Sequence, residues 1–154
     1  MMNHLNSKLS AAAAACYHAA GIIAKERGQA FITPWHMALA VIEDEGVKKA
    51  LTALNVSHAH LESVLISWVK PDDPNVREKN PVKPTHNAAL LELMGTALMV
   101  ADDKPVIDTS DIFIAMLSDG GTRFSLHMIS HGVDFTKLKN YFLRENCLQG
   151  DDAS

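Results

Sequence analysis

Histidine and cysteine are the residues of this sequence that could bind a metal ion or act as nucleophiles. His127 and His131 are four residues apart, a spacing that places two imidazoles on one face of a helix, as in helical zinc sites. Met128 follows His127 where the zinc protease motif has a glutamate, and two ligands alone chelate weakly. We favour a helix C-terminal turn, where the macrodipole favours a cation, and keep a helical metal-binding protein as the alternative.

The other reactive residue types form no catalytic or cofactor-binding pattern. His58 and His60 are two apart, so on a helix they point to different sides. Cys16 falls on the apolar face of a predicted helix, where a thiol behaves as a small hydrophobe. The sequence contains no GxxxxGK[ST], GxGxxG or GxSxG motif. We therefore predict that this chain is not an enzyme and has no catalytic, cofactor-binding or metal-binding residues and no cofactor.

Composition narrows the class of protein and of partner. The 154 residues are 47% hydrophobic and 21% charged, typical of one soluble globular domain. A net charge of -4 lacks the basic excess of nucleic-acid-binding proteins. No apolar run reaches the roughly 18 residues of a membrane span. The two cysteines, Cys16 and Cys147, are far apart in the sequence and form no disulfide framework, which is typical of a reducing compartment. We expect a cytoplasmic protein that binds neither nucleic acid nor membrane.

An internal repeat organises the chain. Residues 32–42 (ITPWHMALAVI) and residues 107–117 (IDTSDIFIAML) match at an offset of 75, and the following segments match at 77. The second copy therefore carries two extra residues in one turn. Such self-similarity indicates a duplicated supersecondary unit.

Each copy has the periodicity and capping residues of four helices. In the first copy, a helix over roughly residues 9–27 precedes one capped by Thr33 that ends near Glu45, then a short helix and one capped by Ser57. In the second copy the predicted caps are Thr85, Asp108 or Thr109, and Asp134. No window alternates as a strand does, so no sheet is predicted. The predicted fold is all-α, with eight helices in two pseudo-symmetric four-helix repeats.

The predicted boundaries follow from the same features. The first repeat spans residues 1–70, a proline-rich linker residues 71–84, the second repeat residues 85–146, and a tail or the start of a tether residues 147–154, all within one compact domain. Two residues of the first repeat are singled out. His36 is interpreted as a structural hydrogen-bonding residue, and Trp35 as a core anchor or else a contact residue.

The doubled segments at residues 31–42 and 106–117, each followed by an apolar helix and a Val-Ser or Val-Asp turn, resemble the Clp N-terminal repeat, and most of all its ClpA-type members. The likeness covers about residues 9–143. It implies a recruitment module that is joined to hexameric AAA+ ATPase modules and docks adaptors such as ClpS, or captures unfolded substrates for proteolysis. A standalone accessory protein that binds the Clp ATPase or protease core is the alternative.

The sequence departs from the ClpA pattern at the positions implied to hold ClpS. ClpA-type domains have acidic residues directly before the phenylalanine and the histidine of the first motif, where this chain has Ala30 and Trp35. Docking of ClpS through the same ion pairs is therefore not expected. We hypothesise that Ala30, Phe31 and Trp35 form a face for a more apolar partner.

Overall fold

The computed structural model describes residues 9–69, 85–102, 104–118 and 122–153. Eight helices are present in these ranges: α1 Ala11–Glu26, α2 Pro34–Val41, α3 Glu45–Ala53, α4 His58–Val69, α5 Ala88–Ala101, α6 Thr109–Met116, α7 Arg123–Ser130 and α8 Phe135–Ala153. The predicted all-α class and its two four-helix repeats are confirmed. The predicted linker, residues 71–84, lies outside the described residues. No helix in the described ranges is long and apolar enough to cross a membrane.

Capping residues define where the helices of the first repeat begin. Thr33 is the N-cap of α2, with Pro34 at the first helical position, where the missing N–H costs nothing. The Ser57 hydroxyl accepts a hydrogen bond from the His60 N–H at the start of α4. One boundary was predicted wrongly: α2 ends at Val41, not near Glu45, because the Asp44 carboxylate accepts from the Val47 N–H and starts α3.

The second repeat follows the same plan with one changed cap. Asp108 is the N-cap of α6, and the Asp134 carboxylate accepts from the Lys137 N–H at the start of α8. The prediction that Thr85 caps the first helix of this repeat is wrong. Asn87 is the N-cap of α5, since its side-chain oxygen accepts from the Leu90 N–H at 2.8 Å.

A short parallel sheet was not predicted, because each strand has only two residues and shows no alternation. Strand β1 (Phe31–Ile32) pairs in parallel with β2 (Thr85–His86), and a similar bridge joins Leu9 to Ile107. The two pairings are reciprocal. The chain entering the first helix of each repeat pairs with the chain entering the second helix of the other, which holds the repeats together.

The core lies around the second helices of the two repeats. Helices α2 and α6 pack on each other, and each also packs on the first helix of both repeats. Both are buried almost all round, as their nearly continuous apolar sequences predict. The largest fully buried side chains include Phe113, Phe124, Met37 and Ile42. Burial of each such side chain contributes about 1.5–3 kcal/mol. The buried residues of both repeats form one hydrophobic cluster, so the repeats share one core.

The last helix differs from the predicted boundaries. Helix α8 continues to Ala153, through most of the segment that was predicted to be a tail. Residues 135–153 contain no proline and a single glycine, Gly150, so nothing in this segment forces the helix to end.

Candidate functional site

The predicted contact residues lie where β1 leads into α2. Ala30 is exposed, and Phe31 is 55% exposed although it is a large aromatic side chain. Its backbone pairs with that of Thr85 in β2. Trp35, in the first turn of α2, is half-buried and packs against the core. The pairing therefore fixes the backbone while the Phe31 ring stays in solvent.

Trp35 belongs to an aromatic cluster that joins the two repeats. Its ring centroid is 5.1 Å from that of Trp68 in α4 and 6.4 Å from that of Phe124 in α7. Phe124 in turn meets Phe113 edge to face at 5.9 Å. Such pairs contribute about 0.5–1.5 kcal/mol beyond the area they bury. Trp35 thus packs against the core, as one of its two predicted roles requires, and its role as a contact residue stays a prediction.

A cleft of about 260 Å³ opens on the free side of Trp35. It runs between the start of α2, the first half of α5 and the junction of α6 with α7. Among the described residues its lining is mostly apolar or small, and Glu92 is the one charged residue of this set. The lining residues are Pro34, Trp35, Ala89, Glu92, Leu93, Thr96, Ala115, Met116, Ser118 and Thr122. We name this feature the Trp35 cleft. It can receive an apolar side chain, and Phe31 precedes its first lining residue, Pro34, by three residues in the sequence.

His36 holds the first turn of α2 in place and does not point into the cleft. Its Nδ1 accepts from the Thr33 N–H at 2.9 Å, and its Nε2 lies 2.6 Å from Oε1 of Gln29, whose Nε2 donates to the Val69 carbonyl at 2.6 Å. These bonds require the neutral tautomer protonated at Nε2. Burial, with a smaller contribution from Arg27, lowers the pKa of His36 to about 4. The predicted structural role is confirmed.

Cys16 also has the structural role predicted for it. The side chain is buried on α1, and its Sγ lies 3.6 Å from the Ala40 carbonyl oxygen. Burial raises the pKa of this thiol. A thiol that is buried and protonated is a poor nucleophile.

The structure brings together three histidines that the sequence analysis considered only as separate pairs. His60, in the first turn of α4, lies beside His127 and His131 at the end of α7, with one ligand nitrogen of each within 4.8 Å of the others. We name these residues the histidine cluster. His127 and His131 occupy the last turn and C-cap of α7, as predicted. Sequence spacing could not reveal His60, because α4 and α7 belong to different repeats.

A second group of possible ligands is already engaged in ion pairs. Glu43, His58 and Glu62 lie together, with His58 Nε2 3.1 Å from a Glu43 carboxylate oxygen. Lys48 pairs with the same carboxylate at 3.3 Å. Exposed charges of this kind usually form a solvated network.

Comparison with known proteins identifies the family. The sequence matches the model of the Clp repeat (R) N-terminal domain over residues 8–129. No curated protein matches it significantly. The structure resembles the N-domain of ClpV from Vibrio cholerae, with TM-score 0.77, 18% identity and coverage of 92% of this chain and 87% of that chain.

Two further solved structures share the fold. The ClpV N-domain in complex with VipB peptide gives TM-score 0.76 at 18% identity, covering 92% of this chain and 89% of that one. The Hsp104 N-terminal domain from Candida albicans gives 0.70 at 14% identity, covering 86% and 87%. With the sequence match over most of its length, the chain belongs to the Clp repeat N-terminal domain family.

Proposed function

We propose that this chain is the non-catalytic docking domain of a ClpA-like AAA+ unfoldase, which presents adaptors or unfolded substrates for ATP-dependent proteolysis in the cytoplasm. Clp N-domains as a family are non-catalytic. Two observations carry the proposal: the large aromatic side chain of Phe31 is exposed, and the Trp35 cleft begins at Pro34, three residues further along the chain. Exposed aromatic residues beside a concave apolar surface are typical of peptide-binding sites.

The chemistry of the cleft supports a peptide with an apolar anchor as the partner. Among the described lining residues Glu92 is the only charged one, so burying a charged anchor beside the others would cost desolvation without a matching ion pair. An aromatic or aliphatic side chain would instead stack on Trp35 and displace water. The complex of the ClpV N-domain with a VipB peptide supports peptide binding by this fold.

The adaptor is proposed to differ from ClpS in its contacts. Ala30 and Trp35 offer no carboxylate at the two positions where the resemblance implies acidic partners for ClpS. A cationic side chain of a partner would therefore find no carboxylate to pair with at these two positions. A partner with apolar groups there would lose no ion pair. We therefore propose an adaptor or substrate segment that contacts Phe31 and Trp35 through apolar groups.

Selection of a peptide library on the purified domain, followed by calorimetry on the selected peptides, tests the function. Truncation of Phe31 by Phe31→Ala should weaken binding at least about tenfold, because a central aromatic anchor carries about 1.4 kcal/mol or more. Phe31 is the better probe than Trp35, whose removal would also disturb the aromatic cluster. Unchanged thermal unfolding of the variant would show that only the surface has been altered.

Met99→Ala is the matched control, because Met99 is 78% exposed and lies on the far part of α5, outside the lining of the Trp35 cleft. Binding should be unaffected by this change. Peptides whose affinity depends on Met99 and not on Phe31 would contradict the proposed site. A domain that selects no peptide but binds purified Clp ATPase or protease core would favour the standalone accessory instead.

A further inference from the structure

The histidine cluster joins the two repeats on the surface. His60 comes from the first turn of α4, while His127 and His131 come from the last turn and C-cap of α7. The ring centroids of His127 and His131 are 4.8 Å apart, and that of His60 lies 5.7 Å and 5.8 Å from them. Three imidazoles from two different repeats therefore face one small volume.

The arrangement has features of a ligand set and lacks those of a hydrogen-bonded structural group. The Nε2 atom of His127 is buried and has no hydrogen-bond partner among the described residues. Buried polar atoms are nearly always satisfied, so such an atom requires an explanation, and an unseen ion is one of them. The three residues present only nitrogen atoms and no carboxylate, which is the donor set of borderline transition metals.

The electrostatics of the helix end favours a cation at the cluster. His131 is the C-cap of α7, where the helix dipole favours positive charge.

We propose that His60, His127 and His131 form a binding site for a divalent transition-metal ion of the zinc type, which cross-links α4 of the first repeat to α7 of the second. The ligand nitrogens lie within 4.8 Å of one another, whereas zinc–nitrogen bonds of 2.0–2.1 Å place tetrahedral ligands about 3.3 Å apart. Small rotations of the exposed His60 and His131 side chains would close this gap. The fourth position is left to water or to a partner side chain.

Titration of the metal-free full chain with zinc chloride, followed by calorimetry, tests the site. One zinc ion should bind per chain. Because the ion binds the folded state across two repeats, a hundredfold excess of zinc over the dissociation constant should raise Tm by about 5–10 °C. Cobalt(II) should give the visible absorption of a tetrahedral complex. The Trp68 ring lies 6.2 Å from His127, so copper(II) should quench tryptophan fluorescence.

Single substitutions identify the ligands. His60→Ala, His127→Ala and His131→Ala should each weaken zinc binding at least about tenfold and abolish the rise in Tm. His18→Ala and His58→Ala are the matched controls, an exposed histidine on α1 and the histidine paired with Glu43. Neither should change the affinity.

Two outcomes would overturn the proposal. One is a chain that binds no zinc or does so without a rise in Tm, and the other is zinc affinity lost in His58→Ala and kept in His60→Ala. Unchanged melting of each metal-free variant establishes that it folds. The result is independent of the proposed docking function, since peptide binding is measured without metal and through Phe31.

Discussion

The second helices of the two repeats, α2 and α6, each begin at a cleft, and the two clefts differ in the charge of their linings. In addition to the Trp35 cleft of about 260 Å³, the structure has a cleft of about 270 Å³ that is lined by the starts of α1, α3 and α6 and by α8. Ser110, 75 residues after Trp35, lines the second cleft where Trp35 lines the first. Four charged residues also line it, namely Asp44, Lys49, Asp108 and Glu145. Duplication thus produced two clefts, of which one is suited to an apolar ligand.

The capping contacts of the two repeats show the same divergence. In the first, Gln29 and His36 form a neutral hydrogen bond of 2.6 Å. At the positions 75 residues later, Lys104 and Asp111 form an ion pair of 2.7 Å. In both, the second residue also accepts from the N-cap backbone N–H. The geometry of a helix start is therefore kept while its charge changes, because the backbone donor needs only an acceptor.

Exchange of the cleft residues should produce the largest effect. Trp35→Ser gives the first cleft the residue of the second and removes the contacts with Trp68 and Phe124. We expect a loss of about 3 kcal/mol in the free energy of unfolding, measured with urea. The reverse change Ser110→Trp should alter stability by less than about 1 kcal/mol. Equal effects of the two changes would mean that the clefts are alike.

Removal of the acid from the ion pair should have the next largest effect. The Asp111 side chain is 4% exposed and that of Lys104 is 37% exposed. Asp111→Ala leaves Lys104 with only its longer ion pair to Asp108, at 3.7 Å, and leaves the Asp108 N–H without its acceptor. We expect a loss of about 2 kcal/mol. Asp111→Asn keeps the acceptor and removes the charge, so it should cost less. Urea unfolding measures both, and an Asn variant as unstable as the Ala variant would show that charge dominates.

Transfer of the ion pair into the first repeat, as Gln29→Lys with His36→Asp, tests whether the ion pair stabilises a helix start outside its own repeat. Gln29→Lys alone sets a cation against a neutral imidazole, and His36→Asp alone buries a carboxylate without a cation. The double variant should recover about 1 kcal/mol relative to the sum of the single changes. Additive losses in a double-mutant cycle would indicate that the surroundings, and not the pair, decide which residues are accepted.

The smallest effect near neutral pH comes from protonation of His36 and requires no substitution. Because the folded-state pKa of His36 is lowered to about 4, the unfolded chain binds its proton more readily. Stability should therefore fall as the pH drops from about 6.5 to about 4 and show no further loss from this group below that range. Over the first unit below neutral pH the loss should be under about 1 kcal/mol. His36→Asn should flatten this part of the curve, and an equal slope would contradict the assignment.

Much of the fold could be predicted because its signals are local. Thr33, Ser57 and Asp134 begin helices through contacts that span three residues, and these caps were predicted correctly. Asp108 was one of two candidates for the cap of α6, and the structure selects it over Thr109. The cap of α5 was misassigned to Thr85 because Asn87 offers an equally good side chain. The strands were missed because pairing of two residues leaves no periodic pattern.

The candidate sites, too, could be predicted only where their residues lie close together in the sequence. Phe31 and Trp35 could be singled out as aromatic residues at a helix entrance. The cleft that Trp35 lines could not, because its other walls come from α5 and from the junction of α6 with α7. His127 and His131 could be paired by helical spacing, whereas His60 could not be added. At the positions 77 residues away, Lys137, Ala50 and Leu54 replace these three histidines, so the repeat itself gives no hint of the cluster.

By itself the sequence determined the helices, the duplication and the family, since all three are carried by contacts or matches within short segments. Only the tertiary structure decided which side chains of one repeat meet those of the other. The Trp35–Phe124 contact and the His60–His127 contact both cross the interface between repeats. Their formation depends on the packing of α2 against α6 and on the reciprocal strand pairing, which no local pattern encodes.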